Sequence, residues 1–457
     1  SFAINAVLAF FLKPESFGLI SLVTVFLGVV SLFTNIGFGA SIIQERNITK
    51  NQINTLYSIN LITYLSTAII VFFVSPFAAS FYDSQELSPL IKLSSIGIAL
   101  PSFYIIKRRL MEKRLEFNKL SIIDITSSVI SGFAGIIAAF FGAEAYSLVI
   151  QVLILNLSYL VLINFYEKTK LEIAFFIKES KGLIISSFKF KISQTMNFLE
   201  RNVDYMLIGK LFNTFTLGIY TFAFNIMYFP IKRISYVFTE VLFPSFSLIQ
   251  NDFRKICTGF LKSIRIISII TFPMMLLTSF FCKDILHLFY GSKWNDAIPV
   301  IQILSVAGAI QSIEQISGVI FDAIKKTQIN IFLGIIKIIF ITFSVLIGSK
   351  YGLTGVATGI TFYKFFTLII SFCLLKKEIN LMFSDVLIYL KGPLIGSIVI
   401  IVILYFITTE RAINENINAF VLLAFTLLVY IIIIVKFEKN SLKELYISFK
   451  TKKSEIK

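Results

Sequence analysis

Six polar or charged side chains share one face of the stretch Leu183–Tyr220, LIISSFKFKISQTMNFLERNVDYMLIGKLFNTFTLGIY. At 100° per residue, Lys189, Ser193, Asn197, Glu200, Arg201 and Asp204 fall within an arc of about 120°. Ile192, Phe198, Leu199 and Met206 lie on the other side. The stretch reads as a membrane-spanning helix, a short turn and the start of a second span. Ionised groups cost several kcal/mol in hydrocarbon, so the stripe must face other protein or a water-filled cavity. Facing a cavity, it would give a transporter fixed charges with which to hold a polar cargo. Facing protein, Glu200, Arg201 and Asp204 would pair with one another and only hold helices together.

The elements that must position this stripe follow from composition. Of 457 residues, 56% are hydrophobic and 15% charged, with a mean hydropathy of +0.85. Soluble domains hold about 45–50% apolar and about 25% charged residues. The apolar residues also come in blocks long enough to cross about 30 Å of hydrocarbon. The expected fold is therefore all-α, a polytopic membrane protein. A β-barrel would show short alternating segments instead of runs such as IIKIIFITFSVLIG. Cys257 and Cys282 flank one span, roughly 37 Å apart at 1.5 Å per residue, so they cannot bridge. The single histidine, His287, excludes a His-rich metal site and a His-based triad, and neither metal nor cofactor is expected. The chain opens inside an apolar run, SFAINAVLAFFL, so its first helix is expected to be cut at its start, with no cleaved signal peptide.

Fourteen spans are read from the apolar blocks. The first six are Ser1–Leu12 (partial), Phe17–Ala40, Ile53–Phe81, Leu90–Ile106, Leu120–Phe141 and Ala145–Phe165. Leu183–Ile208, Phe215–Phe243, Ile256–Cys282, Ile298–Phe321, Ile329–Gly348 and Gly352–Leu375 follow, then Pro393–Thr409 and Ile417–Val435. Loops on one side carry 27 basic residues and loops on the other carry six, so both termini are expected in the cytoplasm. The net charge of +16 is thus topological, with some attraction to anionic membrane lipids, and nucleic acid is not an expected partner.

The remaining basic residues sit within spans. Lys92, Lys191 and Arg265 can snorkel to an interface. Lys189, Arg201, Lys232, Arg233, Lys337 and Lys364 are harder to place in lipid and are the candidate cations of an internal cavity. Lys232 and Arg233 have a second reading as anchors at the end of their helix. The acidic residues within spans are Asp124, Glu200, Asp204, Glu240 and Glu314. Asp124, Glu200, Asp204 and Glu314 are candidates for coupling to a proton or sodium gradient, or else are partners in ion pairs.

The sequence also repeats itself. SFGLIS (Ser16–Ser21) resembles TLGIYT (Thr216–Thr221), and FYDS with LSSIG (Phe81–Gly97) resembles FYGS with LSVAG (Phe289–Gly308). FGAEAYSLV (Phe141–Val149) resembles YGLTGVATG (Tyr351–Gly359). Two copies of six spans share one orientation and should be related by an axis along the membrane normal. The expected organisation is an N-terminal six-helix lobe over 1–166 and a C-terminal six-helix lobe over 183–376. Two additional helices over 392–436 and a basic cytoplasmic tail over 437–457 complete it. Gly18, Gly142, Gly218 and Gly352 mark tight turns or close packing, and Pro101, Pro230 and Pro273 either kink their helices or serve only in packing.

Leu12–Leu19 (LKPESFGL) and Asn35–Gln44 (NIGFGASIIQ) resemble segments of the polysaccharide transporter family, which includes O-antigen flippase-like members. This family is a branch of the multidrug/oligosaccharidyl-lipid/polysaccharide exporter superfamily. Arg201–Phe212 (RNVDYMLIGKLF) and Leu217–Gln250 are similar to its "R-N-x-D-x-x-L-I-G", "L-G-x-Y-x-x-A" and "V-L-F-P-x-x-S" motifs. Asn35 stands where the family has an acid. The resemblance implies two six-helix lobes forming a V-shaped chamber, with two extra helices. It implies a cargo of oligosaccharide on undecaprenyl pyrophosphate, moved between leaflets of the bacterial cytoplasmic membrane, and other polysaccharide assembly proteins as partners. A pyrophosphate needs fixed cations in a low-dielectric chamber, which suits the six lysines and arginines named above.

The alternative is a multidrug or metabolite exporter of the same superfamily, but such exporters usually take cations, and this interior is richer in Lys and Arg than in Asp and Glu. An integral-membrane polymerase or ligase would need a large external loop. The longest one here is about sixteen residues, Lys283–Ile298, without a nucleophile and base. The chain is therefore not expected to be an enzyme.

Overall fold

Hydrocarbon offers no partner to a backbone N–H or C=O, so an apolar block in lipid must satisfy its own backbone as a helix. The computed structural model describes residues 2–34, 42, 45, 48–413 and 426–432, and no strand occurs among them. Side chains of residues 2, 3, 5, 6, 32–34, 185–197, 233, 236, 237, 240, 241 and 406–413 are outside the described ones. The helices are α1 (Phe2–Phe11), α2 (Pro14–Thr34), α3 (Lys50–Phe81), α4 (Leu87–Ala99) and α5 (Ile105–Lys113). Next come α6 (Phe117–Phe140), α7 (Glu144–Tyr166), α8 (Ile177–Leu211), α9 (Thr214–Leu248) and α10 (Phe253–Phe289). The last are α11 (Ala297–Ala323), α12 (Thr327–Gly348), α13 (Gly352–Ile379) and α14 (Phe383–Ile413).

Among the described residues, nine stretches are long and apolar enough to cross a membrane, or ten with α4 and α5 taken as one bent span. The described parts of the first thirteen expected spans fall on helices, the fourth across α4, a 3-10 turn and the start of α5. The fourteenth, Ile417–Val435, is described only at 426–432, which are helical; the basic tail lies outside the described residues. So does nearly all of Asn35–Gln44. Pro101 lies in the 3-10 turn Leu100–Phe103, where the span bends by 43° into α5. The expected external loop Lys283–Ile298 is mostly structured: α10 runs on to Phe289, and a 3-10 turn follows at Ser292–Trp294.

The chain divides into two compact units, Ser1–Thr221 and Phe222–Lys457. In the first, α6 packs on α7, α3 on α4, and α2 on α8 and α3. Buried Tyr104, Met111, Leu120, Ile123 and Ile163 form one of its apolar clusters. Phe73, Phe77 and Phe140 stay exposed, as lipid-facing residues do. Serines and threonines inside α3 satisfy their hydroxyls within the helix: Ser58 donates to the Asn54 carbonyl and Thr67 to that of Thr63, both at 2.8 Å.

α2 and the first turns of α9 meet through residues 200 positions apart. A Cβ on Gly18 would lie 1.8 Å from the Thr214 carbonyl oxygen, and one on Gly218 would lie 1.8 Å from that of Pro14. Further along, the hydroxyls of Ser21 and Thr221 are hydrogen-bonded at 2.8 Å. The contact is symmetric, so the first of the sequence repeats is also a contact in space. It places Thr214–Thr221, the start of the eighth expected span, against α2 within the first unit.

In the second unit, α11 packs on α10 and α13, and α14 on α10. Phe260, Ile264, Ile267, Ile316, Ile320, Phe321 and Leu375 belong to its main buried core. α12 and α13 form a tight hairpin. Gly352 turns it with φ +74°, and Gly355 and Gly359 press on the carbonyls of Gly348 and Ser344.

Candidate substrate-binding and coupling residues

The charged stripe lies on α8, whose 35 residues extend over about 52 Å. It divides by burial as the helix is followed. Lys189 lies on the helix, with its side chain outside the described ones. Glu200 is half-buried and Arg201 exposed, whereas Asp204 is 3% exposed. Asp204 accepts the Tyr220 hydroxyl at 2.6 Å and the Tyr205 backbone N–H at 2.9 Å. The end of the stripe thus fastens α8 to α9, while Arg201 stays accessible.

Asp124, on α6, faces α5. The Arg108 guanidinium donates to both of its carboxylate oxygens, at 2.8 and 3.0 Å. The same guanidinium donates to Glu112 at 3.3 Å and lies 5.1 Å over the Tyr159 ring. This two-pronged geometry is the strongest form of an arginine–carboxylate contact.

The second unit holds the other four candidate cations. Lys232 is exposed on α9, and Arg233 follows it with its side chain outside the described ones. Lys337 on α12 and Glu314 on α11 form an ion pair at 2.8 Å, with side-chain exposures of 19% and 4%. Lys364 on α13 is buried, its ammonium 5.0 Å from the Tyr363 ring centre. The structure therefore joins Lys337 to Glu314 and ties Asp124 to Arg108. Two of the six cations fall in the first unit and four in the second.

Sequence reasoning missed Arg108 and Tyr220. Arg108 sits in the basic run KRRLMEKRLEFNK, where it counts as one more loop charge. The spacing to Asp124 carries no signal, because the two lie on different helices. Tyr220 falls inside an apolar run and gives no sign that its hydroxyl needs a partner.

A chain of membrane-length helices with ionised groups set into them is a polytopic α-helical membrane protein. Residues 7–299, well over half the chain, match a family described as polysaccharide biosynthesis protein. The chain belongs to that family, a polysaccharide flippase family of the multidrug/oligosaccharidyl-lipid/polysaccharide exporter superfamily. It is 27% identical over 379 residues to the lipopolysaccharide biosynthesis protein WzxC of Escherichia coli (strain K12), covering 82% of this chain and 76% of that one. Two solved structures share its fold. The lipid II flippase MurJ, in an inward closed conformation, superposes with a TM-score of 0.74 at 14% identity over 96% of each chain. An inward-facing multidrug resistance transporter of the MATE family gives 0.68 at 16% identity, over 82% of this chain and 94% of that one.

Proposed function

We propose that this protein is a flippase that moves oligosaccharide repeat units, linked to undecaprenyl pyrophosphate, across the bacterial cytoplasmic membrane. The units pass from the inner to the outer leaflet for surface polysaccharide assembly. The observation that carries this reading is the exposed Arg201 part-way along a helix of a flippase-family protein. An exposed guanidinium on that helix can add charge-assisted hydrogen bonds to a pyrophosphate that reaches it. Lys189, Lys232, Arg233, Lys337 and Lys364 are proposed as the further substrate-binding cations. Access alternates between the two sides, and both termini lie in the cytoplasm on the basic-loop argument.

Reconstitution with an undecaprenyl-pyrophosphate oligosaccharide labelled in the inner leaflet tests this. The readout is exposure of the sugar to a membrane-impermeant glycosidase outside. Wild type should expose it well above empty liposomes, and Lys189→Ala with Arg201→Ala should abolish the gain. Small-cation efflux without sugar exposure would move the assignment to the drug-exporter branch.

Transport is proposed to draw on a proton or sodium gradient. Asp204 is the candidate carboxylate on α8, because it is buried and hydrogen-bonded across to the Tyr220 hydroxyl of the next helix. Asp204→Asn should leave transport that no longer responds to the gradient. A variant that is still gradient-driven removes Asp204 from this role.

A further inference from the structure

The linker between α7 and α8 is extended over residues 167–176 and is tied along α3. Alternate backbone N–H groups donate to that helix: Glu172 to Asn54 Oδ1 at 3.2 Å, Ala174 to Ser58 Oγ at 2.8 Å and Phe176 to Thr55 Oγ1 at 2.8 Å. A spacing of two puts these donors on one side of an extended chain, so α3 supplies the acceptors a neighbouring strand would. The start of the linker is held too. The Arg114 guanidinium pairs with the Glu167 carboxylate, which also accepts the Thr169 N–H at 2.9 Å.

This strap closes one wall of a cavity of about 710 Å³ lined by Lys107, Lys168, Lys170, Asn164, Tyr57 and Glu172, among others. Lys107 is fixed at its edge, donating to Asn164 Oδ1 at 2.7 Å and to the Glu167 carbonyl at 3.4 Å. The carboxylate on the lining is already matched: Lys50 lies 2.8 Å from Glu172, and its hydrogen bond holds that carboxyl below the usual range. Three ammonium groups thus face a space whose one acidic group has its own partner. Beside it, Phe165, Ile173 and Phe175 are exposed, the first two by more than 60%. Exposed apolar side chains next to lysines at the basic end of a helical membrane unit belong at the headgroup level of a bilayer.

We propose that this cavity binds the phosphate of an anionic phospholipid headgroup, held by Lys107, Lys168 and Lys170, and that the bound lipid fastens the strap to the membrane surface. The chemistry recognised is a phosphate group. The exposed phenylalanines and isoleucine select a phosphate that arrives on a lipid. The site is separate from the proposed cargo cavity, and its test reads binding and not transport, so either reading can fail alone.

The experiment is native mass spectrometry of the delipidated protein titrated with phosphatidylglycerol or phosphatidylcholine, with and without inorganic phosphate. Wild type should retain phosphatidylglycerol over phosphatidylcholine. Lys168→Gln with Lys170→Gln should weaken that binding roughly tenfold. Both lysines are exposed, so folding does not depend on them. Lys376→Gln with Lys377→Gln removes the same charge from the end of α13 and should change little. Equal binding by wild type and the strap variant overturns the proposal, and so does an equal loss in the α13 control. Displacement of the lipid by millimolar inorganic phosphate would overturn the lipid assignment.

Discussion

Gly18→Ala is expected to leave a protein that barely accumulates or melts far below wild type. The added methyl would lie 1.8 Å from the Thr214 carbonyl oxygen and 3.1 Å from the Gly218 nitrogen. Both are backbone atoms, so no side chain can rotate away, and the helices must move apart by more than an ångström. That separation also breaks the hydrogen bond between Ser21 and Thr221. The loss should lie at the upper end of the roughly 1–3 kcal/mol that overpacking costs, or beyond it. Gly218→Ala should match it, because its methyl would lie 1.8 Å from the Pro14 carbonyl. The measurement is thermal unfolding in detergent, followed by size exclusion. Gly182→Ala is the control: a Cβ there meets nothing within 4 Å, and alanine is the better helix former by about 1 kcal/mol. If Gly18→Ala melts with wild type, the close approach is not real.

The symmetry of this contact gives the repeat a physical meaning. Similar residues at repeated positions need not touch, but here Gly18 with Thr214, Gly218 with Pro14, and Ser21 with Thr221 do. Pro14 and Thr214 both begin their helices, and four residues later each helix presents a glycine to the other's first carbonyl.

What the sequence made legible were quantities that run along one helix. Apolar length located the spans, and Pro101 and Gly352 marked a bend and a turn because their backbone demands are local. The stripe on α8 was legible for the same reason, since angular position on a helix follows from residue number. Partners were not. Asp124 with Arg108, Asp204 with Tyr220 and Glu314 with Lys337 each join two helices, and which faces meet depends on packing that periodicity does not encode. The extended linker 167–176 was hidden differently. It read as a basic loop, because its order comes from the polar face of α3 and not from its own residues.

Lys337→Met is expected to destabilise the second unit by about 3–5 kcal/mol, the usual cost of leaving one member of a buried pair alone. Glu314, with 4% of its side chain exposed, has no route to water once the ammonium 2.8 Å away is gone. Glu314→Gln should cost less. Lys337 is 19% exposed and has a long stem that can carry its charge outward. The order of the two single variants is thus fixed by the difference in burial. Replacing both, Glu314→Gln with Lys337→Met, should recover most or all of the loss, because no charge then remains to be solvated. Melting temperatures of the four proteins form a double-mutant cycle whose coupling should be large. Additive losses would mean that the two side chains do not interact. The recovered double variant also separates architecture from transport. If it is stable but no longer exposes the labelled sugar, the pair takes part in moving the cargo. If it is stable and flips at the wild-type rate, Lys337 leaves the set of cargo-binding cations and the pair serves to join α11 to α12.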